Sequence, residues 1–204
     1  MTFAKAIRSP FDFFKLRQSV EVTSSEAVEA DWSPECLAFR DFWSRLGAGM
    51  PTSEAFLDTP SPRFAAFVFI LEILDGAPVV RLQGTQLEQT WARDLTGGDF
   101  FPGRSSRFRA AGTANMMTVL SHPCGHLARS SYATSKGRKI TSDWIFLPVA
   151  VREGRPQRIV GAVFQHGRRG TFSEVGLHHF ELPKLAWLDA GWGVPATPPV
   201  PLAE

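Results

Sequence analysis

The chain has 204 residues, a formal net charge of +2 and 44% hydrophobic residues, with 17 Phe and 6 Trp among them. This apolar content is enough to build a buried core and excludes a wholly disordered chain. The small net charge gives no support for nucleic acid or an acidic surface as a partner. The length fits one domain with terminal extensions.

The sequence also bears on location. Its longest apolar runs, residues 64–71 and 145–151, fall well short of the roughly 18–20 residues that a transmembrane helix needs. Charged residues such as Asp12 interrupt the N-terminal region where a signal peptide would be apolar. We therefore predict a cytoplasmic chain without a transmembrane segment. In that compartment Cys36 and Cys124 are expected as free thiols rather than a disulfide.

Residues 1–32 are predicted to form an N-terminal arm. Aromatic and basic side chains alternate in its first part, and Pro10 interrupts any long helix. Two roles are open for such an arm. It docks on a partner or a membrane surface, or it packs on its own domain or on a dimer mate.

The pattern after the arm predicts an amphipathic helix. Ser33 is a suitable helix cap, Pro34 suits the first helical position, and Gly47 ends the helix. Four apolar residues then follow at i, i+3, i+4 and i+7 and form one stripe. Such a stripe is typical of a core or of helix–helix contact. We take its members as candidates for a dimer or partner interface: Phe39, Phe42, Trp43 and Leu46.

Two strands and two helices are predicted next. The strands are apolar-rich and flank a glycine turn, and the helices carry apolar residues at three- and four-residue spacing. Gly84 separates strand from helix, but no further glycine follows at phosphate-loop spacing, so a phosphate site is not predicted. In chain order these elements are strands 67–74 and 79–83 joined at Asp75-Gly76, a short helix after Gly84, and a longer helix over 104–121.

The last third is predicted to be rich in strands. Short tips join these strands, so neighbours must be antiparallel. The predicted fold class is α+β, a five-stranded antiparallel sheet in the order β-β-helices-β-β-β with helices on one face and an N-terminal flanking helix. The predicted strands here are 126–134, 139–151 and 157–166.

The C-terminal part is predicted to be peripheral. Residues 171–193 mix short apolar groups with two tryptophans and are expected to pack as a terminal helix, and residues 197–204 are expected to be a disordered tail. The predicted organisation is an arm over 1–32, one domain over 33–170, and a C-terminal extension with its tail over 171–204.

Three short motifs lie at the joints of these elements: Arg81-Leu-Gln-Gly-Thr-Gln-Leu87, Arg93-Asp-Leu-Thr-Gly97 and Leu147-Pro148. Together with the element order, they resemble the PAS fold, and in particular the PAS_5 branch of stand-alone PAS-like proteins common in alphaproteobacteria. The resemblance covers about residues 35–167, and only the loop before the first strand departs from it. It implies sensing or protein–protein interaction. It carries over no shared cofactor or catalytic residue, so the cofactor is unknown.

The densest set of potential ligands is His122-Pro-Cys124-Gly-His126. Imidazole and thiolate groups bind metals or haem when they converge on one ion, but this spacing is not a zinc pattern. The other interpretation is a polar loop at a helix C-terminus, where His is favourable. Motifs of nucleophilic enzymes and phosphate loops are absent from the sequence, and Asn115 lacks the following Cys of flavin-binding, light-sensing PAS domains. We therefore predict no enzymatic activity.

A small-molecule pocket between helices and sheet is a further candidate. Such sites are mostly apolar with a few polar groups, although a filled core has the same composition, so both interpretations are open. The candidate lining residues are Trp91, Phe100, Phe108, Met116, Met117, His122, Tyr132 and Trp144.

The predicted function is a non-catalytic, PAS-type sensory or interaction module that binds a partner signalling protein or forms a homodimer, with a small apolar ligand as an open question. A shift between packings of the flanking helix would carry the signal. The alternative is a haem-, metal- or other cofactor-binding sensor, or a small enzyme, that uses His122, Cys124 and His126.

Overall fold

The computed structural model describes residues 21–22, 31–91, 93–133, 139–151, 156–166 and 179–202. A short 3-10 helix over Ala65–Phe67 precedes the second strand. The helices and strands in chain order are β1 (Glu21–Val22), α1 (Pro34–Ser44), α2 (Ser53–Asp58), β2 (Val68–Leu74), β3 (Ala77–Gln83), α3 (Thr85–Trp91), α4 (Ser106–Ser121), β4 (Gly125–Ala133), β5 (Lys139–Ala150), β6 (Pro156–Gln165) and β7 (His179–Leu188).

The strands of these described ranges form one sheet in the order β1-β7-β4-β5-β6-β2-β3. All neighbours are antiparallel except β1, which pairs in parallel with β7. The predicted α+β class is confirmed, and the five predicted strands are β2 to β6. The sheet extends beyond them, because β7 and β1 are added on the open side of β4.

The prediction of a terminal helix over 171–193 is wrong where the structure describes it, because His179–Leu188 is a strand. Leu185 and Trp187 contribute to the core on one face of the sheet, and Ala186 and Leu188 to the core on the other. A strand buried on both faces has no apolar–polar alternation, so its sequence does not show the period of two.

The prediction of a disordered tail is also wrong for residues 197–202. Leu202 is only 7% exposed and belongs to the core beside α4. The backbone of Val200 is hydrogen-bonded to the Asn115 side chain of α4. Low sequence complexity therefore did not indicate disorder here, because the segment has a specific surface to bind. Most of the predicted N-terminal arm lies outside the described residues.

Both faces of the sheet are covered. One core lies between the sheet and α1 with α2, and includes Phe39, Trp43, Ile70 and Ile145. The other lies between the sheet and α3 with α4, and consists of aromatic and aliphatic side chains from Phe69 to Leu202. The predicted flanking helix α1 thus lies with α2 on the face opposite to α3 and α4.

Helix α1 forms as its sequence predicts. The Ser33 hydroxyl accepts the N–H of Cys36 at 3.3 Å, and Pro34 occupies the first turn, where its missing N–H costs nothing. The Trp43 indole donates to the Pro148 carbonyl at 3.0 Å, which fixes the helix on β5. Among the described residues, no helix has the length and apolar character to cross a bilayer.

The hairpin turn and Gly84 confirm the predicted break points. Asp75 and Gly76 both have positive φ, at 50° and 75°, as a type I′ turn requires. A Cβ on Gly84 would lie 2.6–2.7 Å from the carbonyl oxygens of Ala66 and Ala65. Glycine is needed there because two backbone segments meet, and the Gly84 N–H donates to Val68 at 2.8 Å.

The outer edge of β3 is covered by the chain that follows α3. Val80 exchanges backbone hydrogen bonds with Gly97 and Gly98, and Phe100 donates to Pro78 at 3.0 Å. The last residue of the Arg93–Gly97 motif, Gly97, has a φ of 79°, and the turn there directs the chain along this edge. The edge is therefore closed to strand addition over these residues.

Candidate functional site

Aromatic rings pack together in the region of the predicted pocket between helices and sheet. Phe100 lies at the centre, with its ring centroid 5.1 Å from those of Phe69 and Phe101. The rings of Phe146, Trp91 and Trp144 surround it at 6.1–6.3 Å. These distances are those of packed edge and tilted ring pairs, so side chains occupy the centre of the predicted cavity.

The other predicted pocket residues divide into buried and peripheral ones. Phe108 and Met116 are buried on α4, whereas Met117 is 47% exposed, so its assignment to the pocket is wrong. Successive residues of a helix are separated by about 100°, which directs Met117 away when Met116 faces the core. The side chain of Tyr132 lies outside the described residues, and partly buried His122 follows the end of α4.

Trp91 and Trp144 form the rim of this aromatic cluster. Their rings stack at 6.0 Å with an interplanar angle of 10°, and both are only partly buried. The Trp144 indole donates to the Ser130 hydroxyl at 2.8 Å, which fixes its ring on the sheet. Trp91, at the end of the short helix α3, is the rim residue attached outside the sheet.

The potential ligands His122, Cys124 and His126 do not form a metal site. Cys124 is fully buried, and burial raises its thiol pKa to about 12. His126 lies between the rings of Phe146 and Trp187, at 5.6 and 5.1 Å. Its Nδ1–H donates to the Ala186 carbonyl at 3.2 Å. Within the described ranges, no three His, Cys, Asp or Glu residues are grouped as metal ligands.

Burial lowers the pKa of His126 to about 4, because the imidazolium form would be placed among aromatic rings. His126 is therefore a neutral core residue, at 3% exposure. The Nε2 of His122 is buried and has no hydrogen-bond partner among the described residues. Of the three potential ligands, His126 is thus held by core contacts of its own, to the Ala186 carbonyl and to two aromatic rings.

Two of the four predicted interface residues in and just after α1 are buried within the domain itself. Phe39 and Trp43 are 0% and 2% exposed against the sheet, so their assignment to a dimer or partner interface is corrected. Phe42 and Leu46 are partly exposed. All four residues of the stripe thus pack on the core of the same chain, Phe39 and Trp43 fully and Phe42 and Leu46 in part.

The motifs before and after α3, residues 81–87 and 93–97, are hydrogen-bonded to each other. The Gln83 amide donates to the Arg93 carbonyl and accepts the Leu95 N–H, both at 2.9 Å. The Asp94 carboxylate accepts the Thr96 N–H at 2.8 Å, which forms the turn before Gly97. In the described residues these motifs therefore fix the strand–helix–turn path.

A polar network on the α1 face was not predicted. Asp143 of β5 is fully buried, and its carboxylate accepts two hydrogen bonds from Arg129, at 2.6 and 2.9 Å. It also accepts the Ser33 N–H at 2.8 Å and lies 3.0 Å from His166 Nε2. Four donor atoms from three other segments thus meet at one carboxylate, which fixes the start of α1 to the centre of the sheet.

The Trp32 ring contacts two cationic side chains at this network. The Arg129 guanidinium lies 5.1 Å and the Lys184 ammonium 4.9 Å from its ring centroid. Lys184 also binds the Asp31 carboxylate at 2.6 Å, and this hydrogen bond lowers the Asp31 pKa. Trp32, at 4% exposure, therefore belongs to the domain rather than to the predicted arm.

The network borders a polar cleft of about 600 Å³ on the surface, lined by Asp31, Trp32, Ser33, Pro34, Glu35, Arg129, Gln165 and His166. The sequence carried one signal of it: Arg129 and Asp143 are charged residues inside otherwise apolar or hydroxyl-rich strands. They pair across β4 and β5, where Arg129 is directly opposite Asp143. Without the strand register this pairing was not visible.

Comparison with known proteins supports the fold. A family model described as a PAS domain, PAS_5, matches residues 32–164. A search of curated proteins gives no significant match.

Among solved structures, the chain is similar to the LOV protein of Rhodobacter sphaeroides, at 18% identity and a TM-score of 0.39, over 55% of this chain and 65% of that one. The d2 variant of RsLOV gives 17% identity and a TM-score of 0.38, over 54% and 64%. The match thus spans slightly less than two thirds of these structures. Since the family model covers more than half of the 204 residues, the chain belongs to the PAS_5 family of PAS domains, a domain type that indicates a sensory signalling module.

Proposed function

We propose that this chain is a non-catalytic signalling module in which changes in the aromatic cluster are transmitted through β5 to helix α1, and from α1 to a second copy or a partner protein. The proposal rests on the two faces of one strand. Adjacent residues of a strand point to opposite faces, so β5 contacts both cores at once.

The single observation that carries the proposal is the pair Asp143 and Trp144. The Asp143 carboxylate accepts the Ser33 N–H at the start of α1. The next residue of β5, Trp144, stacks on Trp91 in the aromatic cluster. A displacement of Trp144 therefore acts on the anchor of α1 through one peptide unit. A signal of this kind is a shift between two packings of α1, each favoured by one state of the cluster.

The input is a small, flat, apolar ligand that replaces Trp91 on the Trp144 ring. Trp91 is the suitable residue to move because it is partly buried and ends a helix of only seven residues. A ligand at the centre, by contrast, would have to displace Phe100, whose ring contacts at least five others. The output is the partly exposed side of the α1 stripe, Phe42 and Leu46, as a homodimer or partner surface.

The transmission step is tested by amide hydrogen exchange. Trp91→Ala removes the stacking partner of Trp144, and we expect the exchange protection of the Ser33 amide to fall tenfold or more relative to that of Gly84. Met117→Ala is the matched control, since Met117 lies exposed on α4, and it should leave this ratio unchanged within about twofold. An unchanged ratio in Trp91→Ala would exclude transmission from the cluster to α1.

The output step is tested by the oligomeric state. Multi-angle light scattering of the full chain should show a concentration-dependent homodimer, and Leu46→Lys should shift it to monomer. Leu74→Lys is the control, because Leu74 is 37% exposed at the hairpin turn and away from α1. A chain that stays monomeric up to millimolar concentration would exclude the homodimer, and Leu46 would then be tested against a partner only.

A further inference from the structure

The C-terminal segment from Val194 to Leu202 has the composition of a polyproline II peptide. Its sequence is Val-Pro-Ala-Thr-Pro-Pro-Val-Pro-Leu, with four prolines in nine residues. Proline fixes φ near −65°, and the residue before each proline is held in the extended or polyproline region. Such a segment has no internal hydrogen bonds, so its carbonyl groups are available to another surface.

Two side chains of the domain form hydrogen bonds with the backbone of this segment. The Trp187 indole N–H of β7 donates to the Thr197 carbonyl at 2.8 Å. The Asn115 amide of α4 donates to the Val200 carbonyl at 2.9 Å and accepts the Val200 N–H at 2.7 Å. Asn115 is 1% exposed, so its amide is committed to the segment.

Side-chain contacts complete the site. Leu202 enters the core at 7% exposure, Pro199 is buried, and Val194 packs on the same core. Val200, by contrast, is 45% exposed, so its backbone is bound while its side chain faces solvent. An indole donor, an amide that pairs with the backbone, and an apolar pocket together are the chemistry by which proteins bind proline-rich segments.

A tight reversal returns the segment to the domain. The Asp189 carboxylate accepts the N–H groups of Gly191 and Gly193, at 2.7 and 2.9 Å. Both glycines have positive φ, at 103° and 79°, which residues with a side chain rarely adopt. The segment is thus joined to β7 by a short turn, and its local concentration at the site is high.

We infer that the surface formed by Trp187, Asn115 and the Leu202 pocket is a binding site for proline-rich peptide segments, which the chain's own C-terminus occupies in cis. A proline-rich segment of a partner protein binds the same site when it displaces residues 194–202. The site lies on the α4 face of the sheet and is separate from the α1 surface proposed above, so it goes beyond that function.

The test uses full-length chains and a fluorescent peptide with the sequence of residues 194–204. Two chains weaken the cis contact by different means, Leu202→Asp in the pocket and Val200→Pro at the backbone N–H. We expect both to bind the peptide at least tenfold more tightly than the unmodified chain does, by fluorescence anisotropy, because the site is vacated. Adding Asn115→Leu to the Leu202→Asp chain should abolish this gain, with thermal melting to verify that each variant is folded.

Peptide variants provide a matched pair. Val200→Ala in the peptide should bind like the unmodified peptide, because that side chain faces solvent, whereas Val200→Pro should bind at least tenfold more weakly, because it lacks the N–H that Asn115 accepts. The inference is overturned if neither folded chain variant binds the peptide better than the unmodified chain, or if the two peptide variants bind equally.

Discussion

The buried carboxylate of Asp143 accepts the backbone N–H of Ser33 at 2.8 Å, across 110 residues of sequence. Ser33 is the residue that caps α1, and Asp143 stands in the middle of the sheet on β5. The same carboxylate is held by Arg129 of β4 and lies beside His166 after β6. One buried carboxylate therefore ties the start of α1 to the sheet.

Removal of the Asp143 carboxylate should lower the free energy of unfolding. Asp143→Asn leaves Arg129 without its bidentate partner and places an amide donor among donors, so we expect the free energy of unfolding to fall by about 3 kcal/mol. Urea denaturation monitored by tryptophan fluorescence measures it. Asp41→Asn is the control, because Asp41 is 51% exposed in its ion pair with Arg40, and it should change the stability by less than about 1 kcal/mol. Equal effects of the two variants would contradict the role given to Asp143.

His126 should make the stability depend on pH. Its pKa in the folded state is about 4, below the ordinary 6.5, so the unfolded chain binds a proton that the folded chain excludes. The contribution of neutral His126 to the free energy of unfolding is therefore fully present above about pH 6.5 and is lost as the pH falls towards about 4. The loss over this interval is about 3 kcal/mol, because each pKa unit corresponds to about 1.4 kcal/mol.

The variant His126→Phe isolates this contribution. It lacks the titrating group, so its free energy of unfolding should fall less than that of the unmodified chain between pH 6.5 and pH 4. Near pH 7 it should be less stable by about 1 kcal/mol, because the hydrogen bond to Ala186 is lost. Urea denaturation at several pH values gives both quantities. Parallel pH curves for the two chains would refute the assignment.

A filled aromatic core predicts a specific response to a deletion. Phe100→Ala should cost about 3–5 kcal/mol and leave a cavity among the surrounding rings. Benzene should then raise the melting temperature of the variant, because an apolar cavity of this kind stays dry and binds apolar molecules. The unmodified chain should show no such rise. A benzene effect of equal size on both chains would mean that the space is already open at this position.

Gly84 should not tolerate a methyl group. In Gly84→Ala the Cβ would meet two backbone carbonyl oxygens at 2.6–2.7 Å, so we expect a loss of about 1–3 kcal/mol, measured by thermal or urea denaturation. Gly47→Ala is the matched control, because no atom of the described residues lies within 4 Å of its added Cβ. This contrast tests whether the glycine of the Gly84-Thr85 motif serves packing. A neutral Gly84→Ala would argue against it.

Local patterns predicted most of the PAS elements. The cap at Ser33 and the turn at Asp75-Gly76 depend on residues next to one another in sequence, so their chemistry was visible without a structure. Helix α2, six residues capped by Thr52, was missed because it is too short to show a helical period. Strand β7 was mistaken for a helix because both of its faces are buried.

The candidate sites were harder to predict. The aromatic residues at 91, 100 and 144 were rightly placed together, yet the list could not distinguish a ring that lines a cavity from one that fills it. Met117 was wrongly added because the helix phase was not fixed to one residue. The network around Asp143 was not predicted, because only strand register and the packing of α1 bring Arg129, Asp143 and Ser33 together.

The sequence by itself determined the family resemblance, the order of α1 and of the elements from β2 to β6, and the absence of a phosphate-loop or nucleophile motif, because these depend on short-range chemistry. Only the tertiary structure decided which apolar residues fill the core, which buried carboxylate anchors α1, and that a proline-rich segment binds the domain. These outcomes depend on contacts between residues far apart in the chain, such as Asn115 with Val200 across 85 residues. Their energies come from burial and from paired backbone groups, which no local pattern specifies.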